Sequence, residues 1–176
     1  MRFASSEVYI YRMKLLSVVF PTFVDGRLNL IFMGRQAPGK RMPGIRNGFG
    51  GKCEEGETIE NCAVREVKEE IGLDIKKEDL NFVGTIIEGE KKVYFYTIPL
   101  ESKIAVADSD EMVDCRWFDV DNQALYIGEM LPGNEAPMRE LARSLRDPNR
   151  FTPFQFDMSE NDALIEATRN IFDIPK

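Results

Sequence analysis

The chain has 176 residues, 43% apolar and 30% charged, with a formal net charge of −7 and no histidine. That size and apolar content suit a folded domain with its own core and exclude a disordered segment. The negative balance argues against gripping the backbone of a long nucleic acid, and the missing histidine removes imidazole bases, His-ligated zinc and any Ser–His or Cys–His dyad.

Residues 1–11 carry no readable pattern, and Arg12 and Lys14 interrupt the apolar runs near the start, so neither a signal peptide nor a membrane span is expected. Residues 12–20 and 27–34 are apolar and β-branched around Pro21–Gly26. The Asp25-Gly26 pair predicts a hairpin there. Residues 35–46, RQAPGKRMPGIR, read as a flexible basic loop and the main positive patch of an acidic chain. Solubilising surface charge and a loop that meets phosphates are both open readings, and Arg35 belongs to the second. Asn47 to Lys52 then sets three glycines around Phe49, which permits close approach of backbone to a ligand.

Thr58 is the expected N-cap of a helix running to about Ile71, with Gly72 after its end. Ile59, Ala63, Val67 and Ile71 recur every four residues as its buried stripe, and Glu66 and Glu70 lie at one border. A second hairpin is expected from 80–87 and 92–100 around the turn 88–91. The acidic loop 108–112 leads to a short strand at 115–118, then a brief helix over 119–126 and a turn at 131–134. Residues 136–146 pattern as an amphipathic helix and 151–156 as a strand, while 159–174 fit a helix period about as well as a strand. The sum is a single α+β domain over residues 1–176. Cys53, Cys62 and Cys115 are odd in number and form no CxxC pair, so neither a disulfide framework nor a zinc site is expected. Reduced thiols of this kind suit an intracellular, cytoplasmic setting.

The chemistry concentrates in residues 51–73, GKCEEGETIENCAVREVKEEIGL. Glu66, Glu69 and Glu70 stand at i, i+3 and i+4 on one side of the helix, where like charges repel. Helix stability does not ask for that, whereas a hard cation such as Mg²⁺ takes oxygen ligands of this type together with phosphates. The spacing of Gly51, Glu57, Arg65, Glu66, Val67, Glu69, Glu70, Gly72 and Leu73 fills every constrained position of the Nudix box, and the chain resembles the Nudix hydrolases. The resemblance implies a mixed central β-sheet sandwiched between helices, and water attack on phosphorus in a nucleoside diphosphate derivative. It implies Mg²⁺, for which Mn²⁺ can substitute, held by Glu66, Glu69, Glu70 and the Gly50 carbonyl. Arg65 would orient the glutamates, and Gly51, Glu57 and Gly72 would hold the geometry of loop and helix. The general base is left between Glu66 and Glu111 of the acidic loop, which is also a candidate ligand.

Within the family the chain looks most like the MutT-type oxidised-purine nucleoside triphosphatases, through Asn47–Lys52, Glu55–Glu60, Ser109–Met112 and Trp117-Phe118. That likeness implies an intracellular enzyme of nucleotide-pool sanitation that hydrolyses substrates such as 8-oxo-dGTP and limits DNA damage. Asn47 would then meet the purine, Phe49 would shape the cleft, and Gly50, Gly51, Lys52 and Arg35 would lie against substrate. The likeness breaks at Leu131-Pro132-Gly133-Asn134, where the mammalian enzymes carry a stacking Trp and an Asp pair. Leu131 and Asn134 therefore replace the groups that read the base, and altered selectivity for 8-oxo-purines is expected. ADP-ribose, dinucleoside polyphosphates and capped RNA fragments are the alternative substrates, and a non-catalytic binding module is the alternative class. A small nucleotide is the expected partner, with no long nucleic acid and no membrane, and a monomer is the working expectation.

Overall fold

The structure is a computed structural model that describes residues 13–158; the ambiguous segment 159–174 and the unassigned lead-in lie outside them. Strand β1 (Lys14–Asp25) turns back through Gly26 into β2 (Leu28–Gln36), giving the expected hairpin. β1 does not stop at Pro21, as the sequence suggested. The N–H groups of Ser17 and Val19 both donate to the neighbouring 49–51 segment, so position 21 aims the same way. It falls between the Val19–Phe49 bridge and the start of the β2 register at Thr22, where no ladder donor is required.

The second hairpin is β4 (Asn81–Glu88) and β5 (Lys91–Pro99), and β5 lies parallel to β1. Together with β3 (Arg46–Asn47), β6 (Met112–Asp119) and β7 (Phe154–Asp157), they form a seven-stranded mixed sheet among the described residues. β3 and β6 both pair with β2, and β7 adds in parallel to the far edge of β4.

Alternation along β1 decides what each face of the sheet packs against. Val18 and Phe20 join Ile31, Met33, Phe95 and Phe118 beneath Met138, Leu141 and Ala142 of helix α2 (Glu135–Arg146). Val19 joins Phe32, Phe49, Tyr96 and Ile98 beneath Ala63, Val67 and Ile71 of helix α1 (Ile59–Ile71). The sheet is thus sandwiched between helices.

Three local expectations change. The brief helix over 119–126 is instead the end of β6 followed by two 3₁₀ turns, Gln123–Leu125 and Ile127–Glu129. The flexible basic loop 35–46 ends in strand β3, and Arg46, counted in the positive patch, is 0% exposed. Cys53 and Cys62 are joined as a disulfide with Cα atoms 5.1 Å apart. Folding the Gly-rich loop back onto α1 brings these two thiols together although they are nine residues apart and fit no CxxC pattern. The reduced-thiol argument for the compartment therefore falls for two of the three cysteines. No helix of the described residues is long and apolar enough to cross a membrane.

Candidate active site

Helix α1 starts where the sequence places it, with the Thr58 hydroxyl accepting from the Asn61 N–H at 3.3 Å. Gly72 ends it in the left-handed conformation, φ 68°, as a residue without Cβ can. The helix presents its carboxylates to the segment Asn47–Gly51, which runs beside β1. Gly50 donates its N–H to Glu70 at 2.8 Å. A Cβ at Gly50 would stand 2.0 Å from the Ser17 carbonyl oxygen, so only glycine lets this strand edge approach. A Cβ at Gly51 would stand 2.7 Å from the Glu66 carboxylate. The two glycines thus seat one glutamate each.

Arg65 holds the box together from the outside. It forks onto Glu57 through two hydrogen bonds of 3.0 Å and reaches Glu66 at 2.9 Å, Glu69 at 3.0 Å and the Lys52 carbonyl at 3.2 Å. Glu57 also accepts from the Glu54 N–H, which ties the loop to the helix. The Arg65 guanidinium keeps the Glu57 carboxyl below its usual range. Glu66 goes the other way, because burial raises it more than Arg65 lowers it, and Glu69 and Glu57 add to the rise. Glu70 is pushed up to about 8, first by burial and then by Glu66 and Glu111, against the Gly50 N–H and Lys40.

Those neighbours of Glu70 place the acidic loop. The Ser109 hydroxyl accepts from the N–H groups of Glu111 and Met112, which fixes the turn, and the Glu111 carbonyl accepts from the Ala37 N–H. The Glu111 carboxylate pairs with Lys40, and that contact is the main cause raising the Lys40 ammonium above its usual range. The basic loop therefore does reach the carboxylates, through Lys40, a residue that sequence reasoning did not single out. Arg35 goes elsewhere: its guanidinium lies against Glu129 at 2.5 Å and Asp114 at 3.4 Å. Arg35, expected to lie against substrate, is ion-paired with these two carboxylates here. Lys52 is exposed, and it is its carbonyl that touches the box.

The charge balance of Glu66, Glu69, Glu70 and Glu111 decides what the site can hold. All four offer oxygen, and Glu66 and Glu70 are raised first by burial and then by neighbouring carboxylates. That donor set fits a hard divalent cation and suits a soft one poorly.

Asn47 begins the same segment and lines a separate cavity of about 120 Å³ with Glu88, Leu131, Pro132, Gly133 and Asn134. Phe49 does not contribute to it. The ring is 0% exposed and packs 5.7 Å from Phe32 under α1. Its expected role in shaping the cleft is corrected to a core role. A larger cavity of about 480 Å³ lies between Phe23, Phe82, Leu145 and Phe151, and none of the described residues lining it is charged.

Two walls of the small cavity are fastened by a cluster around the buried Arg46 that the sequence did not announce. Arg46, next to Asn47, hydrogen-bonds Glu129 at 2.5 Å and both the carboxylate and the carbonyl of Asp114, with its guanidinium 4.7 Å from the Phe118 ring centre. Asp114 meets it because β6 bulges there: Asp114 and Cys115 together oppose Gly34, and Asp114 adopts φ 50°. Glu129 stands two residues before Leu131. The signal available in the sequence was only an Arg before an Asn-Gly turn, indistinguishable from its basic neighbours.

The NUDIX domain model matches residues 13–142. The chain belongs to the Nudix family. Members of this family hydrolyse nucleoside diphosphate derivatives and generally use divalent metals. Among curated proteins, an oxidized purine nucleoside triphosphate hydrolase of Danio rerio is 42% identical over 82 residues, covering 43% of this chain and 49% of that protein. A NAD-capped RNA hydrolase, NudC, of Pseudomonas aeruginosa is 31% identical over 83 residues, covering 46% of this chain and 29% of that protein. The matches thus span less than half the length of either relative. Among solved structures, a NUDIX hydrolase from Nitrosomonas europaea aligns with TM-score 0.63 at 14% identity, over 85% of this chain and 80% of that one. An Ap4A hydrolase from C. elegans aligns with TM-score 0.57 at 18% identity, over 74% and 98% respectively. These structural likenesses concern the fold.

Proposed function

We propose that the protein is a Mg²⁺-dependent pyrophosphohydrolase of nucleoside triphosphates, acting on oxidised purine (d)NTPs such as 8-oxo-dGTP and releasing the monophosphate and pyrophosphate. Mn²⁺ would substitute for Mg²⁺. The observation that carries this reading is the segment Asn47–Gly51, with the carboxylates of α1 seated at one end and a small cavity lined by Asn47 at the other. One stretch of backbone would thus serve both the phosphates and the base.

Glu66, Glu69, Glu70 and the Gly50 carbonyl would hold the metal, with Glu111 closing the set from the acidic loop. The bound ion would neutralise phosphate oxygens and the charge that develops at phosphorus. Arg65 orients Glu66 and Glu69 by hydrogen bonds and has no need to touch substrate. Lys40, next to Glu111, is placed to transfer its charge to a phosphate oxygen when substrate arrives. Glu111 would then be released as the base that takes a proton from the attacking water. Glu66 is the weaker base candidate, because the Arg65 hydrogen bond at 2.9 Å ties up one of its oxygens.

The test is incubation with Mg²⁺ and a panel of normal and oxidised dNTPs, with products separated by chromatography. Nucleoside monophosphate and pyrophosphate are expected, and orthophosphate alone or no turnover would sink the reading. A second reading, hydrolysis of another nucleoside diphosphate derivative such as ADP-ribose, a dinucleoside polyphosphate or a capped RNA fragment, is favoured by Leu131. It lines the cavity where the oxidised-purine enzymes stack a Trp. Preference for those compounds in the same panel would select it.

A further inference from the structure

Resting on the proposed nucleotide chemistry, we infer that Glu88 makes the small cavity a reader of guanine-type bases, rings that present an N–H and an NH₂ beside a carbonyl. Along β4, Ile86 and Glu88 share one face, and both line the cavity with Val93 of β5. Ile86 and Val93 pack against the core beneath α2, so an apolar side chain would continue that surface at position 88. A carboxylate stands there instead, with a third of its side chain exposed. Placing it beside apolar neighbours is unfavourable unless something hydrogen-bonds to it. Lys91, across the hairpin, is 3.8 Å away, beyond hydrogen-bond range, and exposed pairs of this kind add little.

The other polar groups of the cavity set the pattern that a ligand must match. The Asn47 side-chain carbonyl accepts from the Gly48 N–H at 2.9 Å, which leaves its NH₂ to donate into the cavity. The Asn134 NH₂ donates to the Leu131 carbonyl at 3.1 Å, which leaves its carbonyl as an acceptor. The cavity therefore offers one amide donor, one carboxylate that only accepts, and a further acceptor. A 2-amino-6-oxopurine edge is the complement: its carbonyl accepts from Asn47, and its ring N–H and NH₂ donate to Glu88. An adenine edge turns a ring nitrogen lone pair towards the carboxylate and is rejected, since a site built for hydrogen bonds discriminates against a ligand that leaves them unmade. This edge lies away from C8, so Glu88 selects guanine over adenine without distinguishing oxidised from unoxidised guanine.

The experiment is calorimetric titration of the wild-type protein, Glu88→Gln and Lys91→Ala with dGMP, dAMP and dIMP, which lacks the NH₂. Wild type should bind dGMP about ten- to a hundredfold more tightly than dAMP, with dIMP between them. Glu88→Gln should lose all but about threefold of that preference, because an amide can donate as well as accept. Lys91→Ala should keep the preference. Equal binding of dGMP and dAMP by wild type, an unchanged preference in Glu88→Gln, or the same loss in Lys91→Ala overturns the inference, as does no measurable binding of any of the three. Thermal melts of the two variants check that they fold. Because these readouts need no turnover, a dGMP preference in a protein that hydrolyses no triphosphate would overturn the pyrophosphohydrolase reading and leave Glu88 as the base reader. Triphosphate hydrolysis without a base preference would do the reverse.

Discussion

Gly50 and Gly51 are neighbours with different obligations, and substituting each by alanine separates them. At Gly50 the added Cβ runs into the Ser17 backbone at 2.0 Å, which cannot move without disturbing β1. Gly50→Ala should lower stability by about 3 kcal/mol, a fall in Tm of roughly 6–12 °C for a chain of this size. At Gly51 the obstacle is the far end of the Glu66 side chain, which can swing away. Gly51→Ala should melt within a few degrees of wild type, about 2–3 °C, while its metal-dependent turnover collapses. Glu70→Gln makes the complementary point. The carboxyl is mostly buried and is pushed up to about 8, so a neutral amide of the same shape fits the metal-free protein at least as well. Its Tm without metal should equal or exceed that of wild type, and its turnover should fall about a hundredfold or more. A normal rate in Glu70→Gln would remove this residue from the site.

At the scale of elements, the β6 bulge, β3 and the turn at 127–129 are joined by Arg46. Replacing it with Met would leave Asp114 and Glu129 without their main counter-charge. The loss should be about 2–3 kcal/mol, below the figure for a fully buried pair, because these carboxylates keep 39% and 34% of their side chains in water. Acid should act in the same direction. Hydrogen bonding to Arg46 holds Glu129 below the usual carboxylate range, and Asp114 is held down too, by Arg46 against its burial. A carboxyl lowered on folding contributes stability above its unfolded value, about 4, and loses it as pH falls through the folded value. The stability of wild type should therefore drop below about pH 4 more steeply than that of Arg46→Met, as urea midpoints across pH 2–6 would show. Parallel curves for the two proteins would mean that Arg46 is not the source.

For the molecule as a whole, the sheet carries α1 and α2 on opposite faces, and the Asn47–Gly51 segment crosses from the carboxylates to the cavity. If the carboxylates hold a divalent cation only in the folded state, Mg²⁺ at a hundred times its Kd should stabilise the protein by about 2.7 kcal/mol. That corresponds to a Tm rise of roughly 5–11 °C, reversed by a chelator and absent in Glu70→Gln. An unchanged Tm at saturating Mg²⁺ and Mn²⁺ would argue against the site.

The elements legible in the sequence were those whose signals are local. The Asp25-Gly26 turn, the Thr58 cap, the Gly72 stop and the four-residue stripe of α1 each depend on neighbours a few positions away, and so does the i, i+3, i+4 spacing of Glu66, Glu69 and Glu70. The family and its carboxylate chemistry could be read from them. Contacts between distant parts of the chain could not. Phe49 and Asn47 look alike as loop residues until tertiary packing puts one in the core beneath α1 and the other at the small cavity. Arg46 reads as one more surface charge until a bulge 68 residues away supplies its carboxylate. Cys53 and Cys62 match no pairing motif, Lys40 meets Glu111 only once two loops are bound together, and Glu88 is an ordinary hairpin residue until the turn before α2 lines a cavity with it. The sequence by itself determined which fold and which phosphate chemistry are available, because periodicity and caps act within a few residues. The tertiary structure alone decided which side chains line the small cavity and how they are held, because burial and ion pairing belong to surfaces that form only when the chain folds.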